Sequence, residues 1–82
     1  MNEIELRLWN QFAVLAEELH FGRAAQRLFM TQPPLTQAIA QLEKRLAVRL
    51  FDRTKRSVQL TATGRALLPE VLDLLALSLI HI

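Results

Sequence analysis

Two adjacent prolines, Pro33 and Pro34, interrupt a chain that otherwise repeats its apolar residues at helical spacing. Proline has no backbone N–H and its ring clashes with the preceding helical turn, so the pair is excluded from a helix interior and from a central strand. It is tolerated in the first turn of a helix, where the amides lack intrahelical partners in any case. Thr31 precedes the pair as a candidate cap, and Leu35, Ile39, Leu42 and Leu46 follow on one face. The prolines therefore predict a helix start, with a helix running to about residue 46 and Gln32, Thr36, Gln37 and Ala40 opposite its apolar face.

Two helices are expected before it. Leu6, Trp9, Phe12, Ala13, Ala16 and Leu19 recur at three- and four-residue spacing, which predicts an amphipathic helix over residues 4–18. His20, Phe21 and Gly22 break the period and read as a tight connection. A short helix over residues 22–28 follows, with Ala24, Ala25 and Leu28 inward and Phe21 packed across its start as a staple. From Arg49 the period changes. Leu50-Phe51-Asp52 and Val58-Gln59-Leu60 are short β-prone runs that predict a hairpin with Lys55 and Arg56 at its tip. Thr61 then caps a fourth helix over residues 62–79, bent at Pro69.

The expected fold class is mainly α: a winged helix-turn-helix of three core helices and a small β-hairpin, plus a long C-terminal linker helix. Residues 1–60 form the first unit, with the helix-turn-helix at 21–40 and the wing at 49–60, and residues 61–82 form the linker and dimerisation helix. The end of that helix is atypical. Nine of the twelve residues from Val71 to Ile82 are apolar, so it needs cover, and burial against a second copy through Leu67, Leu68, Val71, Leu72 and Leu75 is the expectation.

Charge is unevenly placed. Between Lys44 and Arg65 there are seven basic residues and one acid, a local balance of +6, while the rest of the chain carries −4. So concentrated a basic segment points to a polyanionic partner. Other classes find less support. There are no cysteines, which removes thiolate metal sites and a disulfide framework. His20 and His81 stand apart from one another and from carboxylates at ligand spacing, so both are read as structural, and no metal or cofactor is expected. No Ser/His/Asp set or paired carboxylates appear, and an enzyme is not expected. The apolar run from Ala66 is broken by Pro69, Glu70 and Asp73 and is short of the roughly 20 residues of a membrane span. Met1-Asn2-Glu3 lacks the basic-then-apolar order of a secretory signal, so a cytoplasmic, nucleoid-associated protein is expected.

Two short helices joined by a tight turn and followed by a basic hairpin form an arrangement suited to reading double-stranded DNA. The second helix of such a pair enters the major groove, where glutamine pairs with adenine and threonine meets a base or a thymine methyl. Its free N-terminal amides also favour a phosphate. The hairpin would lay Arg53, Lys55 and Arg56 along the backbone or the minor groove, and Arg23 and Lys44 are further candidate phosphate contacts. The runs Phe21-Gly22-Arg23-Ala24-Ala25-Gln26-Arg27-Leu28, Thr31-Gln32-Pro33-Pro34-Leu35-Thr36-Gln37, Leu50-Phe51-Asp52-Arg53 and Leu60-Thr61-Ala62-Thr63-Gly64 resemble, in order and spacing, the N-terminal domain of LysR-type transcriptional regulators.

That resemblance implies a bacterial transcription regulator that pairs as a homodimer through its fourth helix and binds a partly palindromic promoter element. It also implies a longer chain whose small-molecule-sensing effector domain is absent from these residues. Carried over by position, it places Thr31 as the cap, Gln32, Pro33, Thr36 and Gln37 at bases or adjacent backbone, and Arg53 in the wing. Ala38 and Ala40 stand where longer polar side chains are frequent, Gln37 where arginine is common, and Ala47 where glycine is usual. The rival class is a helical interaction module that dimerises through its last helix and binds no DNA. It explains the apolar C-terminal end but leaves the basic hairpin and the start of the third helix without a purpose.

Overall fold

The computed structural model describes residues 4–54 and 57–80, with side chains as far as residue 77. Its elements run α1 (Leu6–Glu18), α2 (Phe21–Arg27), α3 (Gln32–Leu46), β1 (Phe51–Arg53), β2 (Val58–Leu60) and α4 (Ala62–Ile80). All four helices and the hairpin fall where the sequence places them, within two residues at each boundary. Lys55 and Arg56 lie outside the described residues.

α1 is the central helix. It packs against α2, α3 and α4 together, so residues 11 to 16 are buried on every side instead of along a single stripe. The amphipathic reading understates this. Leu6, expected inward, is 43% exposed at the helix start, whereas Leu8, Val14 and Leu15 are in the core. Phe12 is fully buried and its ring meets Phe51 of β1 at 5.7 Å and the half-buried Trp9 edge-on at 6.4 Å. Leu35, Ile39 and Leu42 of α3 complete the core, the face that the spacing predicts.

With few glycines available, three non-glycine residues take the left-handed conformation among the described residues: Leu19, Phe29 and Ala47. Leu19 directly follows α1, Phe29 lies in the turn after α2 and Ala47 directly follows α3. Each closes its helix with amides turned back onto the last carbonyls, as when Val48 N–H reaches the Glu43 carbonyl at 3.2 Å. An L-residue pays steric strain of about 1–2 kcal/mol there, which glycine avoids at some cost in chain entropy. Ala47→Gly is therefore expected to raise stability by about 0.5–1 kcal/mol, read as a higher melting midpoint.

The wing is a two-stranded antiparallel ribbon pairing Phe51 with Leu60, Asp52 with Gln59 and Arg53 with Val58. Thr54 N–H donates to the Ser57 carbonyl at 2.9 Å and narrows its outer end. Thr61 caps α4 as expected: its hydroxyl accepts from Gly64 N–H at 3.0 Å and donates to the Arg49 carbonyl at 2.6 Å. The first turn of α4 is thereby pressed against the root of the wing. A Cβ at Gly64 would stand 2.4 Å from the Leu50 carbonyl oxygen. Pro69 lies inside α4, and Val71 anchors that helix in the core.

Candidate nucleic-acid interface

The exposed surface of α3 is built by the same period that buries Leu35, Ile39 and Leu42. Thr31, Gln32, Pro33, Pro34, Gln37 and Ala40 are exposed, and Thr36 is half-buried at the edge of that face. Thr31 occupies the cap position with an extended backbone, but its side chain makes no cap hydrogen bond. The reason is in the sequence. A cap hydroxyl accepts from the second or third helical amide, and here both are prolines. Two consequences follow. The Thr31 hydroxyl is not consumed by its helix, and Gln32 alone of the first three helical residues retains an N–H. Fewer free amides than at the expected helix N-terminus stand here to favour a phosphate, and its surface also offers side-chain hydroxyl and amide groups.

The helix before it is capped by His20, a structural role in keeping with the sequence reading, although the spacing does not mark it as a cap. His20 Nδ1 accepts from Arg23 N–H at 3.0 Å. Its ring fills the space beside Gly22, where a Cβ would come within 3.0 Å of His20 Cε1. A groove of about 430 Å3 opens between this corner, Gln32 and the wing, lined by His20, Gly22, Gln32, Thr54 and Ser57 among others. It joins the three elements expected to meet DNA.

The cations have different partners. Arg23, a candidate phosphate contact, is drawn onto the end of α1: its Nε donates to Glu18 Oε1 at 3.2 Å and its Nη2 to the Glu18 carbonyl at 3.1 Å. Arg27 spans Glu17 at 2.8 Å and Glu18 at 3.1 Å. Lys44 is exposed on α3. Arg53 lies over the Phe21 ring at 5.1 Å from its centroid and faces Glu43 Oε1 at 3.5 Å. Phe21 is thus the first residue of α2 and a platform for the wing arginine, a role the staple reading did not contain. Glu43 meets this arginine from α3, a contact that helical spacing alone does not mark.

The hydrogen bond from Arg27, then that from Arg23, holds the Glu18 carboxyl below its ordinary value of 4.5. A carboxyl depressed in the folded state adds stability at higher pH and loses it as pH falls through the folded value. The stability difference between the natural chain and Glu18→Gln is therefore expected to be present at neutral pH. It should shrink as the pH drops below 4.5 and vanish in strong acid, as read by thermal melts across that range.

α4 presents a different surface. Of the five leucine and valine positions expected to pair two copies, Val71 is in the core and Leu67, Leu68 and Leu75 pack against it. Leu72 remains 40% exposed, as does Leu74, which the sequence reading did not select. A second groove, of about 240 Å3, runs between α1 and α4 beside Trp9, Leu67 and Leu74. Among the described residues no three His, Asp or Glu side chains gather as metal ligands, and no helix is long and apolar enough to cross a membrane.

This arrangement matches the model of the family described as "Bacterial regulatory helix-turn-helix protein, lysR family" over residues 6–65. The chain belongs to the LysR family. Among its relatives, this LysR-family chain is 59% identical to the HTH-type transcriptional regulator IlvR of Caulobacter vibrioides over 73 residues, covering 89% of the chain and 25% of that protein. It is 58% identical to AlsR of Bacillus subtilis over 65 residues, covering 79% and 22%. The chain thus spans about a quarter of the length of these relatives. Its fold superposes on the CbnR_DBD–DNA complex with a TM-score of 0.87 at 37% identity, covering 92% of the chain and 86% of CbnR_DBD. For BenM_DBD bound to benA site 1 DNA the TM-score is 0.85 at 36% identity, covering 89% and 82%. The LysR-family chain therefore has the winged helix-turn-helix that its sequence implies.

Proposed function

We propose that this chain binds double-stranded DNA in a sequence-specific manner, as the N-terminal domain of a bacterial LysR-type transcription regulator. One observation carries the reading. The exposed, hydrogen-bonding start of α3 stands beside a basic wing in a fold shared, at more than a third identity, with two domains crystallised on DNA. α3 enters the major groove, where Gln37 and Thr36 meet base edges and Thr31 and Gln32 meet base or backbone. The wing lies along the backbone and supplies charge through Arg53, with Lys55 and Arg56 beside it in sequence.

Two copies pair through α4, whose Leu72 and Leu74 remain exposed once the domain's own core is formed. That pairing sets two copies of α3 about one helical turn of DNA apart and favours a partly palindromic promoter element. Work in the bacterial cytoplasm, and regulation by an effector sensed elsewhere in a longer protein, complete the reading. Neither catalysis nor a cofactor enters it.

The experiment is a fluorescence-anisotropy titration of the chain against a random duplex from low to moderate salt. Micromolar binding that weakens steeply with salt is expected. A folded chain that binds no duplex even at low salt would leave an interaction module as the better reading.

A further inference from the structure

We infer that Glu43 is the residue that sets the wing against the recognition helix, and so acts as a positioning residue for DNA binding. The inference rests on the DNA-binding reading above. Glu43 lies on α3, the helix proposed to enter the groove, yet its side chain turns away from solvent and is only 16% exposed. Its Oε2 accepts from Leu50 N–H at 2.8 Å and from Phe51 N–H at 3.1 Å. Its Oε1 faces Arg53 Nη2 at 3.5 Å, and Arg53 in turn covers the Phe21 ring of α2. One carboxylate thus links α3 to the root of the wing and, through Arg53, to α2.

The same root is held from the other side. Thr61 donates its hydroxyl to the Arg49 carbonyl at 2.6 Å and its N–H to the Leu50 carbonyl at 2.9 Å. The amides of residues 50 and 51 therefore go to α3, and the carbonyls of residues 49 and 50 go to the cap of α4. The wing beyond this point is only three residue pairs long. A two-stranded ribbon of that size does not hold its own direction, so its direction is fixed where it is rooted.

Charge makes the role testable. Glu43 directly precedes the most basic segment of the chain. A carboxylate beside a polyanion opposes binding by simple electrostatics. If Glu43 were only a charge, its removal would tighten DNA binding. If it positions the wing, removal weakens binding although the chain becomes more positive.

The test compares the natural chain with Glu43→Ala, Glu43→Asp and Glu43→Gln, titrated against a random duplex and against a preferred site, at a temperature where each is folded by circular dichroism. Alanine removes the acceptor, and aspartate is a methylene too short to keep both amide bonds. Both variants are expected to bind each duplex about tenfold more weakly, with the salt slope flattened by about one phosphate contact. The ratio between the two duplexes should not change, because α3 itself is not moved. Glutamine retains an oxygen for the two amides and should recover most of the loss, which a general loss of stability would not produce. Should the alanine variant fail to fold, the aspartate and glutamine pair decides on the same terms. A folded alanine or aspartate variant that binds as tightly as the natural chain, or more tightly, overturns the inference alone. A natural chain that binds neither duplex removes the DNA reading, and the inference with it.

Discussion

Replacing Gly64 by alanine is expected to destabilise the domain by about 3 kcal/mol, the upper end of what overpacking a fixed site costs. By helix propensity alone the change should help, because Gly64 lies in the first turn of α4 and alanine is favoured over glycine by about 1 kcal/mol in a helix interior. Its φ is not positive, so no conformational demand reserves the position for glycine. Space reserves it. The new methyl would meet the Leu50 carbonyl oxygen at 2.4 Å and Leu60 Cδ2 at 2.8 Å. The leucine tip can rotate away. The carbonyl cannot, because it already accepts from Thr61 N–H and belongs to the junction that Glu43 holds from the other side. The strain must be relieved by lifting α4 or by tilting the wing root. Thermal melts should show a midpoint lower by about 15 °C for a domain of this size. An unchanged midpoint would mean that α4 is not seated on the wing as described.

Gln37→Ala is expected to weaken binding to the preferred site by about 1–3 kcal/mol, roughly tenfold to a hundredfold, and to leave binding to random duplex nearly unchanged. Gln37 is preferred over Gln32 for this role on positional grounds. Gln32 lines the groove beside the wing, and its Oε1 stands 3.8 Å from where a Cβ at Gly22 would be, so its amide is turned toward α2. Gln37 lies further along α3 and is exposed. Anisotropy titrations of both proteins on both duplexes give the comparison. An equal loss on every sequence would place Gln37 on the backbone instead of on a base.

What the sequence made legible was what depends on local pattern. The proline pair marked the start of α3, the three- and four-residue spacing marked its buried face, and the change of period at Arg49 marked the hairpin. Less legible was anything that depends on which element lies behind which. α1 reads as a helix with one apolar stripe because the pattern carries no sign that α4 will return to cover its far side, and so Leu8, Val14 and Leu15 are not among the residues it places inward. The cap on α2 was missed because histidine is an uncommon cap and Gly22 gave no hint that it leaves room for the ring. Thr31 takes the cap position that the sequence marks, and the two prolines after it are the reason that its side chain makes no cap hydrogen bond. The contacts of Arg23 and Glu43 are hidden from the sequence for a single reason. Which neighbour a charged side chain meets is settled by partners five to ten residues away, through contacts no periodicity records.

The proposed function turns on whether α3 reads bases. The direct measurement is selection of this chain's preferred duplexes from a random pool, followed by sequencing. Enrichment of a partly palindromic element, its half-sites about one helical turn apart, is the expected result. A folded chain that binds the pool in a salt-dependent manner yet enriches no sequence would contradict it, leaving backbone attraction without readout.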